Sequence, residues 1–443
     1  MQNQNEINRL QVVVQQVLDE ARQQGASAAE AALNVDNGLS VSARLGEVET
    51  LEYHCDQGLG VTVYFGQKKG SASTNDMSST SLADTVKAAC SIARHASDDE
   101  CAGLPDADLL ATVFPDLDLY HPWAIDAEAA IQLAIECEDA ARHYHPAISN
   151  SEGATVNTHR GTRVFGNSLG FLHGYQSSRH SVSCSVLAGS GDAMQRDYWY
   201  SVARNASKLE PARQIGEKAA QRTIARRDAR GLTTRQCPVL FAPDMASGLI
   251  GALIGAVSGG SLYRKASFLL DSLGQQILPD FVHIHEQPHL AGALGSASYD
   301  AEGVATRAHD IVSNGILRSY LLGSYSARKL GMQSTGNAGG VHNLTVEPGE
   351  RDFQTMLALL DTGLLVTELM GQGVNRITGD YSRGASGFWV ENGQIQYPVQ
   401  EITVAGNLKT MLRNIVAIGN DVDLRGNVRV GSILVEQMSI AGA

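Results

Sequence analysis

Four stretches hold residue types or spacings that could do chemistry. His283-Ile284-His285-Glu286, followed by His289, is the most metal-like. On a strand His283 and His285 face one way and Glu286 the other, and zinc accepts two imidazoles so placed. Spacing defines no third ligand, and His289 follows Pro288 in an expected loop, so surface histidines at a strand end are the plainer reading. Asp300 and Glu302 bring two carboxylates to one strand face or into one turn. General acid–base work needs such a pair, and ordinary acidic turns contain it too. Thr378-Gly379-Asp380 and Asn407 read as turn and cap residues, and His54, His95, His121 and His342 as surface or locally bonded groups.

The fourth stretch is Gly248–Gly260, GLIGALIGAVSGG, followed by Ser261-Leu262-Tyr263-Arg264-Lys265. It lacks the closing Lys-Ser or Lys-Thr of a phosphate loop and the GxGxxG of a dinucleotide turn. Gly251, Gly255 and Gly259 recur every four residues, with Ala252, Ala256 and Gly260 beside them. On a helix these make a smooth stripe. Each interior glycine costs a helix roughly 1 kcal/mol relative to alanine. The stripe therefore implies close approach by a neighbour, a tightly packed helix rather than a chemical group.

The elements that must position these residues read as an α+β chain. The 443 residues allow two or more cores, and the net charge of −13 without a basic stripe argues against a nucleic-acid backbone as partner. No run reaches the ~20 apolar residues of a spanning helix, no secretory leader precedes residue 12, and the six scattered cysteines suit reduced thiols in a cytoplasm. An amphipathic helix is predicted over 5–24, strands over 31–35, 39–44 and 60–65, a helix opened by Ser81 and Asp84, and a helix from Asp126. Closely spaced glycines predict short antiparallel strands over 148–207, then a helix over 210–230. Beyond it come a strand at 238–242 and a helix capped by Asp244. Asn314-Gly315 and Asn392-Gly393 mark hairpins. A helix is predicted over 407–418 and a closing strand over 428–438. The expected organisation is an N-terminal α/β domain, 1–230, with helices packed on an antiparallel sheet, and a β-rich C-terminal domain, 231–443, with a few helices.

Several stretches together resemble one family. They are YDAEGVAT (299–306), NGILRSY (314–320), YSARKLG (325–331), GQGVNRITGDYSRGAS (371–386), FWVENG (388–393), Asn167–Phe171 and Tyr263-Arg264-Lys265. Their order, from about residue 10 to 442, is similar to that of the TldD/PmbA family, once described as modulators of DNA gyrase, and more to its PmbA branch, also called TldE, than to its TldD branch. The resemblance implies a cytoplasmic, heterodimeric metalloprotease concerned with microcin B17 maturation and degradation of the antitoxin CcdA. In the TldD branch an HExxxH helix just upstream of an Arg-Lys pair binds zinc, with a C-terminal cysteine as third ligand and the glutamate as general base. Anchored on Arg264-Lys265, that motif falls on Gly251, Ala252 and Ala256, and no cysteine follows Cys237. The resemblance thus implies a chain without zinc or base of its own, paired with a TldD-type subunit that holds the metal, or a homodimer when that partner is absent. Gly371, Gly373, Val374, Asn375 and Thr378 are expected to line the shared peptide chamber, where a substrate could add to a strand edge. Two other readings are a peptidase with a rearranged site at His283, His285 and His289, and a regulator that cuts nothing.

Overall fold

A computed structural model describes residues 2–442. The first part of the chain is built on one antiparallel sheet: β1 (Ala28–Arg44), β2 (Glu47–Phe65), β3 (Lys68–Thr74), β4 (Ile148–Asn167), β5 (Leu172–Ala188) and β6 (Gln195–Ala203), ordered β3-β2-β1-β4-β5-β6. Helices α1 (Gln2–Gln23), α2 (Ser79–His95), α3 (Ala127–Arg142) and α4 (Ala212–Ala225) cover it. Helix α1 forms as its period predicts: Leu10, Val14, Val17, Leu18 and Ala21 are buried against Ala31, Leu33 and Val164 of the sheet. Asp126 caps α3 by accepting from the Ala129 amide. The cap of α2 is Ser78 rather than Ser81, whose own amide donates to the Ser78 hydroxyl.

Glycines that read as strand breaks are mostly contact points. β1 runs unbroken through Gly38, where a Cβ would meet His54 Nε2 at 2.2 Å and the Thr158 carbonyl oxygen at 2.4 Å. The expected short strands over 148–207 are three long ones, β4, β5 and β6. In β4, Gly166 is small because Val14 of α1 packs on it, 2.9 Å from where a Cβ would sit.

The remainder contains β7 (Arg235–Phe241), α5 (Pro243–Val257), α6 (Gly259–Tyr263), β8 (Ile284–Glu286), β9 (His309–Ser313), β10 (Ile316–Leu317), α7 (Ser324–Lys329), β11 (Leu344–Val346), α8 (Phe353–Leu360), β12 (Gly363–Met370), β13 (Asp380–Glu391), β14 (Gln394–Asn407), α9 (Leu408–Arg413), β15 (Ile415–Ile418), β16 (Val428–Arg429) and β17 (Ile433–Ala441). One sheet is ordered β14-β13-β12-β7-β17-β15, and β14 also pairs with β17, so it curls back on itself. A smaller sheet is ordered β10-β9-β8-β11-β16. Both asparagine–glycine turns form with positive φ at both residues, 52° and 71° in each case. The helix expected over 407–418 stops at Arg413 and gives way to β15, because Ile415 and Ala417 are taken up by β17. Helix α5 begins on Pro243 rather than on an Asp244 cap.

The parts are stitched by charge-assisted bonds. Arg425 lies over the Trp199 ring at 3.9 Å and the Tyr200 ring at 4.5 Å, and it holds Asp423 through Nε and Nη2 at 2.9 and 2.8 Å. Arg226 pairs with Glu368, and Arg328 donates to the Cys101, Gly103 and Leu104 carbonyls. The fold is thus α+β, a helix-covered antiparallel sheet followed by a β-rich part with a few helices.

Candidate functional site

β7 and β12 are parallel neighbours, with Val239 opposite Leu364 and Phe241 opposite Val366. The segments after these two strands therefore leave the sheet at the same end. After β7 comes α5, and after β12 comes the loop 371–379. Between them lies a cleft of about 800 Å³ with Gly248, Gly251 and Ala252 as its floor. Its opposite side is Gln372–Ile377 together with Asp380, Ser382 and Arg383.

The floor is one face of α5. Leu249, Ile250, Leu253, Ala256 and Val257 point into the core, while Gly248 and Gly251 are exposed. Nothing lies within 4 Å of a Cβ placed on Gly251. At Gly255 a Cβ would sit 3.0 Å from Arg376 Nε, so that glycine makes room for a guanidinium. The stripe expected to run on through Gly259 and Gly260 breaks at Ser258, where φ −74° and ψ 139° end the helix. Gly259 then faces Ser326 from α6.

The loop is held rigidly by its own bonds. Asn375 Oδ1 accepts from the Ile377 and Thr378 amides, and the Arg376 carbonyl accepts from Phe268 N at 2.8 Å. Gly373 packs so closely on the Ser382 carbonyl oxygen that a Cβ would lie 1.7 Å from it. Thr378 donates to Asp380 Oδ2 and Asn407 Nδ2 to Asp380 Oδ1, which holds that carboxyl below its ordinary pKa. β13 is paired with β12 and β14, and Ser382 N donates to Gly373 O, so the strand beside the cleft presents no free edge there.

Of the expected chamber residues, Gly373, Val374 and Asn375 line this cleft. Gly371 and Thr378 stand on the same loop outside the lining, Gly371 exposed with φ 77°. The sequence reading missed Arg376 and Arg383, both inside the stretch 371–386. The signal was two arginines in one glycine-rich stretch, 371–386, of an otherwise acidic chain.

The histidine cluster comes together differently from its expectation. His283 and His285 do share a face, yet His289 is apart and exposed, its Nε2 3.1 Å from Thr306 Oγ1. Glu286 is buried and accepts from Asn337 Nδ2 at 2.9 Å on both oxygens and from the His342 amide. The rings of His309 and His342 lie beside it, at 3.5 and 3.3 Å, so His342 is a partner of a buried carboxylate rather than a surface group. Asp300 closes a turn: Oδ1 accepts from the Glu302 and Val304 amides and Oδ2 from Ala338 N, while burial raises its pKa to about 6.

Comparison with known proteins gives these positions a context. Family models match in three consecutive pieces: PmbA/TldA metallopeptidase domain 1 at residues 29–93, the central domain at 120–227 and the C-terminal domain at 234–442. The metalloprotease PmbA of Escherichia coli O157:H7 is 53% identical over 94% of this chain and 92% of its own length. This chain belongs to the PmbA/TldD metalloprotease family. The metalloprotease PmbA homolog of Haemophilus influenzae is 52% identical, covering 95% of this chain and 94% of its own. Among solved structures, a proposed modulator of DNA gyrase from Bacteroides thetaiotaomicron superposes with a TM-score of 0.92 at 29% identity, covering 97% of this chain and 98% of that one. TldE from Thermococcus kodakarensis shares the fold at a TM-score of 0.84 and 19% identity, covering 97% and 100%.

Membership of a metalloprotease family implies a metal, and the side chains here do not fit one. Gly251, Ala252 and Ala256 offer no donor atom. They are not equivalent positions either: Gly251 and Ala252 face the cleft, while Ala256 is fully buried and its carbonyl accepts from Ser267 Oγ at 2.6 Å. Cys237 is buried on β7, where desolvation lifts its thiol pKa to about 11, and among the described residues it joins no cluster of metal-ligating side chains. Among the described residues no three His, Cys, Asp or Glu side chains gather in a metal-holding group. No helix of the structure is long and apolar enough to cross a membrane.

Proposed function

We propose that this chain is the non-catalytic subunit of a heterodimeric zinc metalloprotease that acts on unfolded or extended peptides in the cytoplasm. A TldD-type partner supplies the zinc and the general base. This chain supplies a wall of the chamber that holds the peptide, and in the partner's absence it self-associates. Its 231–443 unit carries that wall and its 1–230 unit supports it.

The observation that carries this reading is the cleft over Gly248, Gly251 and Ala252. It keeps the concave shape of a substrate site, yet its floor has no group that could bind a metal or take a proton. A formed cleft without reactive side chains suits a subunit that positions a peptide. The cleft strand has no free edge, which favours recognition through side chains over strand addition. The test is metal content and peptidase activity of this chain alone, of the partner alone and of the two mixed. The expected result is zinc and activity only where the partner is present, with activity rising on addition of this chain. One zinc per isolated chain, or partner activity indifferent to this chain, would sink the proposal.

A further inference from the structure

The cleft holds two cations that the fold leaves without counter-ions. Arg376 lies against α5, its Nε 3.0 Å from the Cβ position of Gly255. Arg383 reaches the same helix further back, its Nη1 3.9 Å from the Cβ position of Gly248. Seven residues of helix separate these contacts, a rise of about 10 Å. Other arginines of this chain are ion-paired: Arg222 and Arg226 with the buried Asp197, and Arg425 with the half-buried Asp423. Arg376 and Arg383 are different. No described carboxylate lies within 4.0 Å of either guanidinium in the ion pairs that the fold makes. Arg383 donates from Nη2 to the Leu369 carbonyl at 3.3 Å and lies beside the buried Tyr381 hydroxyl, while its Nε is buried without a hydrogen-bond partner; neither neighbour is a carboxylate. Asp380, the carboxylate of the lining, has both oxygens engaged by Thr378 and Asn407.

Two unpaired guanidiniums facing one cleft, in a chain of net charge −13, form a local anion trap. Each planar fork matches a carboxylate. Their separation is about three residues of extended polyproline-II chain at roughly 3.1 Å each, a repeat that returns side chains to the same face. The helix between them offers only Gly251 and Ala252, which leave space for a backbone to lie along it.

We infer that Arg376 and Arg383 are a two-post clamp for carboxylates, so that the cleft selects extended acidic peptide segments whose carboxylates lie about 10 Å apart. This rests on the peptide-chamber reading above and adds which peptides the chamber takes. One post can hold a free C-terminal carboxylate or an acidic side chain, and the other an acidic side chain two or three residues away.

The test is fluorescence anisotropy with the full chain, alone and mixed with its partner. The probes are four labelled hexapeptides of one core sequence. One has Glu at positions 3 and 6 with a free C-terminus, one is its C-terminal amide, one has Gln at both positions with a free C-terminus, and one is the amidated Gln peptide. The expected result is binding of the first at least about tenfold tighter than the last, a gap of about 1.4 kcal/mol. The two middle peptides report which carboxylate matters. R376Q and R383Q each lower the ratio of acidic to neutral peptide binding about fivefold or more, and R376K keeps part of that ratio. G255A keeps both charges but pushes Arg376 off the helix, and it too lowers the acidic preference. Circular dichroism confirms that each variant is folded. Equal binding of acidic and neutral peptides, or equal losses for both in the variants, overturns the clamp and leaves the chamber reading standing. No binding of any peptide, with partner activity indifferent to this chain, overturns both.

Discussion

The open face of α5 makes a sharp prediction at Gly251. A helical glycine replaced by alanine gains because the unfolded chain loses freedom, by about 0.4–1 kcal/mol where the new methyl meets no obstacle. Nothing lies within 4 Å of that methyl. The residue is not among those with positive φ, so the backbone accepts a side chain. G251A is therefore expected to stabilise the fold by about that amount, which is about 1–4 °C for a unit of some 200 residues. G216A is the counter-case. There α4 crosses α3, and the added Cβ would sit 2.0 Å from the Cys137 carbonyl oxygen, a backbone atom that cannot swing away. The expected cost is about 1–3 kcal/mol. Urea midpoints of the two variants beside the parent, followed by circular dichroism, read both. A G251A chain that unfolds at lower urea than the parent would refute the placement of this face against open space.

Installing the HExxxH motif that the resemblance places here is expected to fail: G251H/A252E/A256H should bind no stoichiometric zinc by metal analysis. It should also lose about 1–3 kcal/mol, because Ala256 is fully buried and an imidazole there overpacks the core. Tight zinc binding by that variant would show that the third ligand had been overlooked. Asp300 should titrate near 6 by carbonyl NMR, since burial outweighs its three amide donors. Its folded pKa is raised above 3.8, so its contribution is full below about pH 4 and is lost as pH rises through about 6, a fall of about 3 kcal/mol. A midpoint below 4 would mean that the amides win. R425A should loosen the seam at Trp199 by about 1–3 kcal/mol, seen as a shift in Trp fluorescence and a lower urea midpoint, and unchanged values would remove that stack from the account.

Local chemistry was legible in the sequence wherever it was decided locally. The period of Leu10, Val14 and Val17 gave α1, Asp126 gave the start of α3, and two asparagine–glycine pairs gave their hairpins. Glycine misled where its smallness serves a distant neighbour. Gly38 and Gly166 read as breaks because the sequence does not say that His54, Thr158 and Val14 press on them. The meeting of the two sides of the cleft escaped for the same reason. These sides are far apart in the chain and meet only through the parallel pairing of β7 with β12, which no period or turn signal announces. Glu286 read only as the residue facing away from the two histidines of a metal-like stretch. Its real partners come from two later segments, His309 at the start of β9 and Asn337 with His342 on the connection between α7 and β11.

The curled sheet also orders events in time. β7 lies near the start of its part of the chain, yet one of its two neighbours is β17, the last strand, which in turn joins β14 through Thr403–Ala405 and Ser439–Ala441. Until β17 emerges from the ribosome, the strand pairing of β7 is limited to three residues on β12, beside its packing on α5 and α8. The parallel β7–β12 pair that forms the cleft is thus secured late, after contacts of long sequence separation close. A nascent chain stalled before Ile433 is expected to carry a folded first sheet and an open, protease-sensitive second one.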